Sequence, residues 1–297
     1  MFNINRFQQY EAYNENRAYL IDNPDVLINL ERFFLIKISE LIKQHSLGIQ
    51  SDYNEASFLY PFWQNYPPDN RGRQPRGDQY PWIEVGEHSV GRKLSRHLAE
   101  HFFVKDIGVP TGADERFLIS SKEILNYSGG MYENVFLSID IKSVGPRDDA
   151  HHAVMSHNQI SGDGCWDNIE KGVYNTPLVA RGIRAYHDFH CSLPPLYVLS
   201  DRTVAPVITI VVKPVYEMYS LYPTANYQSG QPLKRISLAS IPNGLLLNVN
   251  PNYLGLYPGL FYPGKDDKGK SPLKVRARVD FNILQKIASW RYYDIFF

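Results

Sequence analysis

Val135 Phe136 Leu137 Ser138 Ile139 Asp140 Ile141 Lys142 reads as a strand that is almost wholly apolar and ends on an acid and a base. Side chains alternate across a strand, so Asp140 and Lys142 fall on one face and Ile139 and Ile141 on the other. A run this apolar belongs near the centre of a sheet. There a charge is costly unless a metal ion or an ionic partner holds it. The Asp-x-Lys triplet itself is a weak signal: roughly one arises by chance in a chain of this size, and a surface ion pair looks the same. Its weight comes from its place at the end of a buried strand.

Upstream, Asp114 lies in Val109 Pro110 Thr111 Gly112 Ala113 Asp114 Glu115 Arg116 and opens a strand predicted over Arg116–Ser120. If the two strands pair through the turn at Asn126–Met131, both aspartates converge on one cation; otherwise Asp114 is a turn residue. A helix is predicted from Pro81 to His101, with Ile83, Val90, Leu94 and Leu98 as its apolar stripe. Glu87 shares that stripe, four residues after Ile83, whereas Glu84 shares its side with His88 and Ser95, so Glu87 is preferred as the inward carboxylate. Carboxylates suit Mg²⁺, which keeps several waters and shares its site with phosphate oxygens. Asp114, Asp140 and Lys142 thus point to phosphodiester chemistry, with a cation polarising the phosphate and Lys142 orienting or deprotonating the attacking water.

The cationic counterpart lies near the C-terminus, in Pro263 Gly264 Lys265 Asp266 Asp267 Lys268 Gly269 Lys270 and in Lys274 Val275 Arg276 Ala277 Arg278 Val279 Asp280. The second segment alternates strictly, as a strand with an apolar back and an arginine-bearing front suited to a DNA groove. A solvated sheet face would more often mix signs or use Thr and Glu. The Pro-, Arg- and Gly-rich stretch Tyr60–Pro81, with Arg71, Arg73 and Arg76, reads equally as a phosphate-contacting loop or as a surface connection. His187, His190 and Cys191 with Cys165 lack the fixed spacing of a zinc site. His151, His152 and His157 touch phosphate or are simply exposed.

The first 45 residues read as helices, with Asn23 as a cap, Pro24 at the first helical position and a stripe of Val26, Leu27, Leu30, Phe33, Phe34 and Leu41. Further strands are predicted over Leu196–Leu199, Val204–Val212, Ile236–Ile241, Leu245–Val249 and Lys274–Asp280, with a last short helix near Asn282–Trp290. Helices first and strands later, with few crossovers, predict an α/β fold with a mixed central sheet flanked by helices. We read 1–297 as a single domain, with N-terminal helices over 1–50, a catalytic core over about 81–215 and recognition strands over about 232–280. Lys plus Arg equals Asp plus Glu at 31 each, so any affinity for a polyanion has to come from local clustering. The two cysteines do not make a disulfide framework, the start of the chain lacks a signal peptide's apolar region, and no run reaches the roughly 20 apolar residues of a membrane span. A cytoplasmic protein is expected.

A wider set of residues is more specific than the triplet. It comprises Asp52 Tyr53 Asn54 Glu55 Ala56, Gly77 Asp78 Gln79, Pro81 Trp82 Ile83 Glu84 Val85 Gly86 Glu87, Asp140 Ile141 Lys142 Ser143 Val144 Gly145 Pro146 Arg147 Asp148, Pro242 Asn243 Gly244 Leu245 and Pro263 Gly264 Lys265 Asp266 Asp267. Along most of its length the chain resembles the type II restriction endonucleases of the PD-(D/E)xK nuclease superfamily. The resemblance implies a restriction-endonuclease-like fold with a β-rich DNA-recognition region, a homodimer, and a catalytic set of Asp114, Asp140 and Lys142 with Glu87 as accessory acid. It implies Mg²⁺ held by Asp114, Asp140 and the main chain of Ile141, with Mn²⁺ able to substitute and Ca²⁺ supporting binding without cleavage. It places base reading on Asp148, Lys265, Asp267, Arg276 and Arg278, at the interrupted palindrome GCC(N5)GGC in double-stranded DNA. A cognate DNA methyltransferase in the same prokaryotic cytoplasm would complete the pair. Two departures stand out: Ala113 precedes Asp114 where the superfamily has Pro, and Tyr219–Gln231 and the final residues look unlike the family. Competing readings are a repair or junction-resolving nuclease of the same superfamily and a noncatalytic DNA-binding protein.

Overall fold

The computed structural model describes residues 5–64, 85–109, 111–144, 151–181, 186–217, 232–264 and 276–297. Arg71, Arg73, Arg76, Glu84, Asp148, Lys265, Asp267 and the segment 219–231 therefore lie outside the described residues. Among those described, the chain opens with α1 (Arg6–Asp22), α2 (Pro24–Gln44) and α3 (Ser46–Gln64), followed by a π-helical turn (Glu87–Gly91) that continues into α4 (Arg92–His101). Next come β1 (Phe103–Asp106), β2 (Glu115–Ser120), α5 (Lys122–Tyr127), β3 (Asn134–Ile141), β4 (His152–Ser156), β5 (Leu178–Arg181), β6 (Tyr186–Phe189), β7 (Leu196–Val198) and β8 (Val204–Tyr216). The last part holds β9 (Leu233–Ile241), α6 (Gly244–Asn248), α7 (Tyr253–Leu256), β10 (Phe261–Pro263), β11 (Arg276–Asp280), α8 (Phe281–Ile287), a 3₁₀ turn (Ser289–Arg291) and β12 (Tyr292–Phe296).

The expected mixed sheet is present. Its order is β1-β2-β3-β8-β9-β12, with β7 beside the start of β8, and β3 with β8 is its parallel pair. β2 and β3 pair antiparallel as expected, although α5 occupies part of the connection between them. One face of the sheet, through Ile139, Ile141, Ile208, Ile210 and Val212, meets Phe34, Ile38, Leu94 and Leu98 of the helices. The other face, through Val211, Ala239 and Ile241, meets Ala153, Met155, Phe261, Ala277 and Val279 of a small antiparallel sheet, β10-β11-β4. Asp140 is paired with Val211 and so lies on the side of the small sheet. Lys213, buried on that same face, donates from Nζ to the carbonyl of His152 in β4 at 2.6 Å and ties the two sheets together.

Pro24 in the first turn starts α2, and the stripe from Leu27 to Leu41 is buried as expected, extended by Leu35, Ile38 and Ile42. α2 also carries Glu31, fully buried, whose Oε2 lies 2.7 Å from Nη1 of the fully buried Arg291. Glu31 Oε1 accepts from the main-chain N–H of Asn243 at 2.6 Å, and Asn243 Nδ2 donates to the carbonyls of Pro195 (2.9 Å) and Val207 (2.8 Å). Burial pushes the Glu31 carboxyl above its usual range, against the pull of the Arg291 cation.

Three expectations need correction. Leu245–Val249 is not a strand: Asn243 caps the turn by accepting from Leu245 N at 3.0 Å, and the leucines form the buried helix α6. A short apolar run carries no period that separates the two alternatives. The Asn282–Trp290 helix ends as α8 at Ile287, and Tyr292–Phe296 then forms an edge strand on β9 that the sequence reading missed. α3 also continues to Gln64, past the Tyr60 at which an irregular stretch was expected to begin.

Candidate active site

β3 delivers Asp140 to the sheet interior, where its side chain has no exposed surface. Lys142, two residues on and partly exposed, places Nζ 2.8 Å from Asp140 Oδ1 and 2.7 Å from Oδ2. Gln159 Nε2 donates to Asp140 Oδ1 as well, whereas Oδ2 meets the Lys142 ammonium. Burial raises the Asp140 carboxyl; the Lys142 ammonium opposes the rise, the Asp114 charge adds to it, and the result is pushed up to about 6.

Asp114 ends the loop before β2. The last β2–β3 pair is Glu115 with Ile139, and one step beyond it Asp114 Oδ2 accepts from the main-chain N–H of Ile141 at 2.6 Å. A carboxylate thus takes the place of the next strand bond and is drawn to the strand that carries Asp140. With Ala113 in place of Pro, Asp114 still reaches the main chain of Ile141, next to Asp140.

The accessory acid is less simple. Glu87 opens the π-helical turn and is half-buried, while Val90, Leu94 and Leu98 are buried as expected. The turn lies against the active strand, since a Cβ on Gly91 would run into Ile141 Cδ1 and approach the Glu115 carboxylate. Glu115 is a carboxylate the sequence reading passed over. It faces the helices, its pKa is raised first by burial and then by the neighbouring Asp114 charge, and a hydrogen bond from Ser95 opposes the rise. The signal available was the adjacent pair Asp114-Glu115 at the start of a strand, whose members point to opposite faces.

β11 alternates as expected over Arg276–Asp280: Ala277 and Val279 are buried, while Arg276, Arg278 and Asp280 are half-buried on the opposite face. It pairs with β4 in the register Arg276 to Ser156 and Arg278 to Val154. Tyr262 of β10 sits under Arg278, the guanidinium carbon 5.9 Å from the ring centre. The small sheet thus presents two arginines while its back packs on the sheet that holds Asp140.

Cys165, Cys191 and His190 do not come together as a metal-ligand group among the described residues; Cys165 instead accepts from Arg17 Nη2 at 3.3 Å. His45, His97 and Glu100 do lie together on the helices. The two imidazoles stack 3.4 Å apart with planes 6° apart, so one ion cannot sit in the plane of both rings. No helix among the described residues is long and apolar enough to cross a membrane.

A family model described as restriction endonuclease BglI matches residues 8–295. The type II restriction enzyme BglI of Bacillus subtilis is 46% identical over 291 residues, 97% of this chain and 96% of that protein. The crystal structure of the restriction endonuclease BglI bound to its DNA recognition sequence matches with a TM-score of 0.90 and 45% identity, covering 100% of this chain and 99% of that one. The tetrameric restriction endonuclease SfiI bound to cognate DNA matches with a TM-score of 0.62 at 16% identity, over 91% of this chain and 84% of that one, a likeness of fold alone. With a matching family model and a closely similar relative each spanning nearly the whole sequence, the chain belongs to the BglI restriction endonuclease family.

Proposed function

We propose that the chain is a Mg²⁺-dependent type II restriction endonuclease that acts as a homodimer and cuts both strands of duplex DNA at GCC(N5)GGC. In this reading it is a single-domain protein that works in a prokaryotic cytoplasm beside a cognate DNA methyltransferase. The observation that carries the reading is the meeting of Asp114 with the main chain at Ile141, next to an Asp140 that takes the Lys142 ammonium. The donor set suits a hard divalent cation. Asp140 Oδ2 is a buried carboxylate oxygen paired with the Lys142 ammonium, and in a strand the Ile141 carbonyl faces the same edge as the N–H that meets Asp114. Asp114, Asp140 and the Ile141 carbonyl are the groups that would hold the ion, all of them oxygens. A divalent cation there supplies Lewis-acid stabilisation of the charge that develops on the scissile phosphate.

Lys142, at the open end of the strand, orients or deprotonates the attacking water and offsets developing negative charge. Glu87 serves as an accessory acid. Arg276 and Arg278 offer forked donors to guanine O6 and N7, Lys265 a further donor, and Asp148 and Asp267 acceptors for the cytosine amino group. One site per chain cuts one strand, so a two-fold DNA sequence calls for a two-fold dimer.

Digestion of plasmids of known sequence with Mg²⁺, followed by sequencing of the ends, tests the reading. Discrete fragments ending within GCC(N5)GGC are expected, and Mn²⁺ should substitute. Asp140→Asn and Lys142→Ala should abolish cleavage while site-specific binding in Ca²⁺ persists. Cleavage that follows DNA structure in place of sequence, or loss of specific binding by Lys142→Ala, overturns it.

A further inference from the structure

Gln159 is buried in the turn that follows β4, and its carboxamide is engaged on every side. Its Oε1 accepts from the main-chain N–H of Ser156 at 2.7 Å, while Nε2 donates both to the carbonyl of Gly112 at 2.8 Å and to Asp140 Oδ1. The two main-chain partners settle which end is nitrogen, because a flipped amide would set oxygen against the Gly112 carbonyl and N–H against the Ser156 N–H. The nitrogen is therefore the end presented to Asp140, as a donor.

Each of these partners belongs to a different part of the molecule. Ser156 is the last residue of β4 and the register partner of Arg276. Gly112 lies two residues before Asp114, and its own N–H donates to the Asn158 carbonyl at 2.8 Å, so the loop carrying Asp114 and the turn carrying Gln159 are clasped by two bonds. Gln159 thus touches one aspartate directly, the support of the other through Gly112, and the arginine-bearing strand pair through Ser156. A displacement of β11 relative to the main sheet has a short route to both aspartates, and the route runs through one side chain.

We propose that Gln159 is a positioning residue that couples the seating of the β4–β11 pair on DNA to the placement of Asp140 and Asp114, so that part of sequence discrimination is exerted at cleavage and not at binding. The inference rests on the proposed function, in which Asp140 is catalytic and β11 reads bases. An amide partner of a metal-ligating carboxylate is typically worth about 10- to 100-fold in activity or metal affinity. A purely structural support would lose that factor equally on every DNA sequence. A coupling residue loses it mainly on the cognate one, where the strand pair is fully seated.

Two variants test this. Gln159→Met keeps the shape of the side chain and removes the amide, and Gln159→Glu keeps an acceptor for Ser156 while setting a carboxyl in place of the amide donor beside Asp140. Single-turnover cleavage is measured with Mg²⁺ on the cognate duplex and on a duplex with one altered G·C pair. Equilibrium binding to both is measured in Ca²⁺, and thermal unfolding without metal. Cognate cleavage should fall by about 10- to 100-fold and cleavage of the altered site by much less. Cognate binding should stay near wild type, and both variants should still unfold cooperatively, at a temperature lowered by the buried hydrogen bonds each one removes. The effect of Arg276→Ala on cleavage should shrink in the Gln159→Glu background, since the two changes break one route.

Equal losses on both duplexes, or additive effects of Arg276→Ala and Gln159→Glu, overturn the coupling. If one variant does not fold, the other and its double-mutant cycle decide; if neither folds, Gln159 is a structural residue and the inference falls. Asp140→Asn, assayed in parallel, distinguishes failure of the coupling from failure of the proposed function. Its activity at wild-type level would remove the reading of the site itself, whereas an inactive Asp140→Asn beside fully discriminating Gln159 variants removes the coupling alone.

Discussion

Asp140 is the residue at which the demands of folding and of ion binding oppose each other. Its carboxyl is raised from 3.8 to about 6, chiefly by burial. The folded chain therefore holds a proton at a pH where the unfolded chain has released it, which favours the metal-free fold in full below about pH 4. That advantage disappears as pH rises through about 6. At about 1.4 kcal/mol per unit the difference is about 3 kcal/mol. Denaturant unfolding in chelator should show wild type losing about that much relative to Asp140→Asn between pH 4 and pH 7.5. A difference that stays flat across the range contradicts the burial of this carboxylate. Asp140 and Lys142 stand out in the sequence because strand alternation and an apolar run announce a charge that does not belong in a core, whereas Asp114 does so only if its strand pairs with theirs. Gln159 was not legible, since its role depends on a turn that brings it to β3 from 19 residues away. Glu115 is hidden by its neighbour: adjacent strand residues point apart, so the face that carries Asp114 gives no sign of it.

At the scale of elements, β11 is the part whose period alone told its two faces apart, because a charge at every second residue would spread around a helix but lines one side of a strand. Its arginines face away from the core formed by Ala277 and Val279. If they read bases, Arg276→Ala or Arg278→Ala should weaken binding to the cognate duplex by about 1 to 3 kcal/mol for each lost bidentate contact and leave random duplex nearly unchanged. Titrations of both duplexes at one fixed salt concentration check this. An equal loss on both would make the strand a backbone clamp. Where the period was short or absent, elements were misread. The leucines of α6 and the edge strand β12 are decided by what they pack against, which no local window contains.

Across the whole molecule, the Glu31–Arg291 pair joins the helical layer to the C-terminal turn and, through Asn243, to β8. Glu31→Gln leaves the Arg291 charge buried without its counter-charge and should cost about 3 to 5 kcal/mol, seen as a lower denaturant midpoint at unchanged slope. A change of less than about 1 kcal/mol would mean that Arg291 is supported by the rings of Trp290 and Tyr253 alone. Sedimentation with cognate duplex should find two chains per DNA; a one-to-one complex that cuts both strands contradicts the two-fold arrangement.

The order in which the chain is made adds a consequence to the β4–β11 pairing. Ser156 meets Arg276 across 120 residues (276 − 156), a long wait for a strand that needs its neighbour. On the ribosome both aspartates, Lys142 and Gln159 emerge well before either arginine of β11. A half-synthesised copy thus contains every residue proposed to cut DNA and lacks the strand proposed to choose where. Its restraint lies in the main sheet, which stays incomplete beside β3 until β8, β9 and finally β12 arrive.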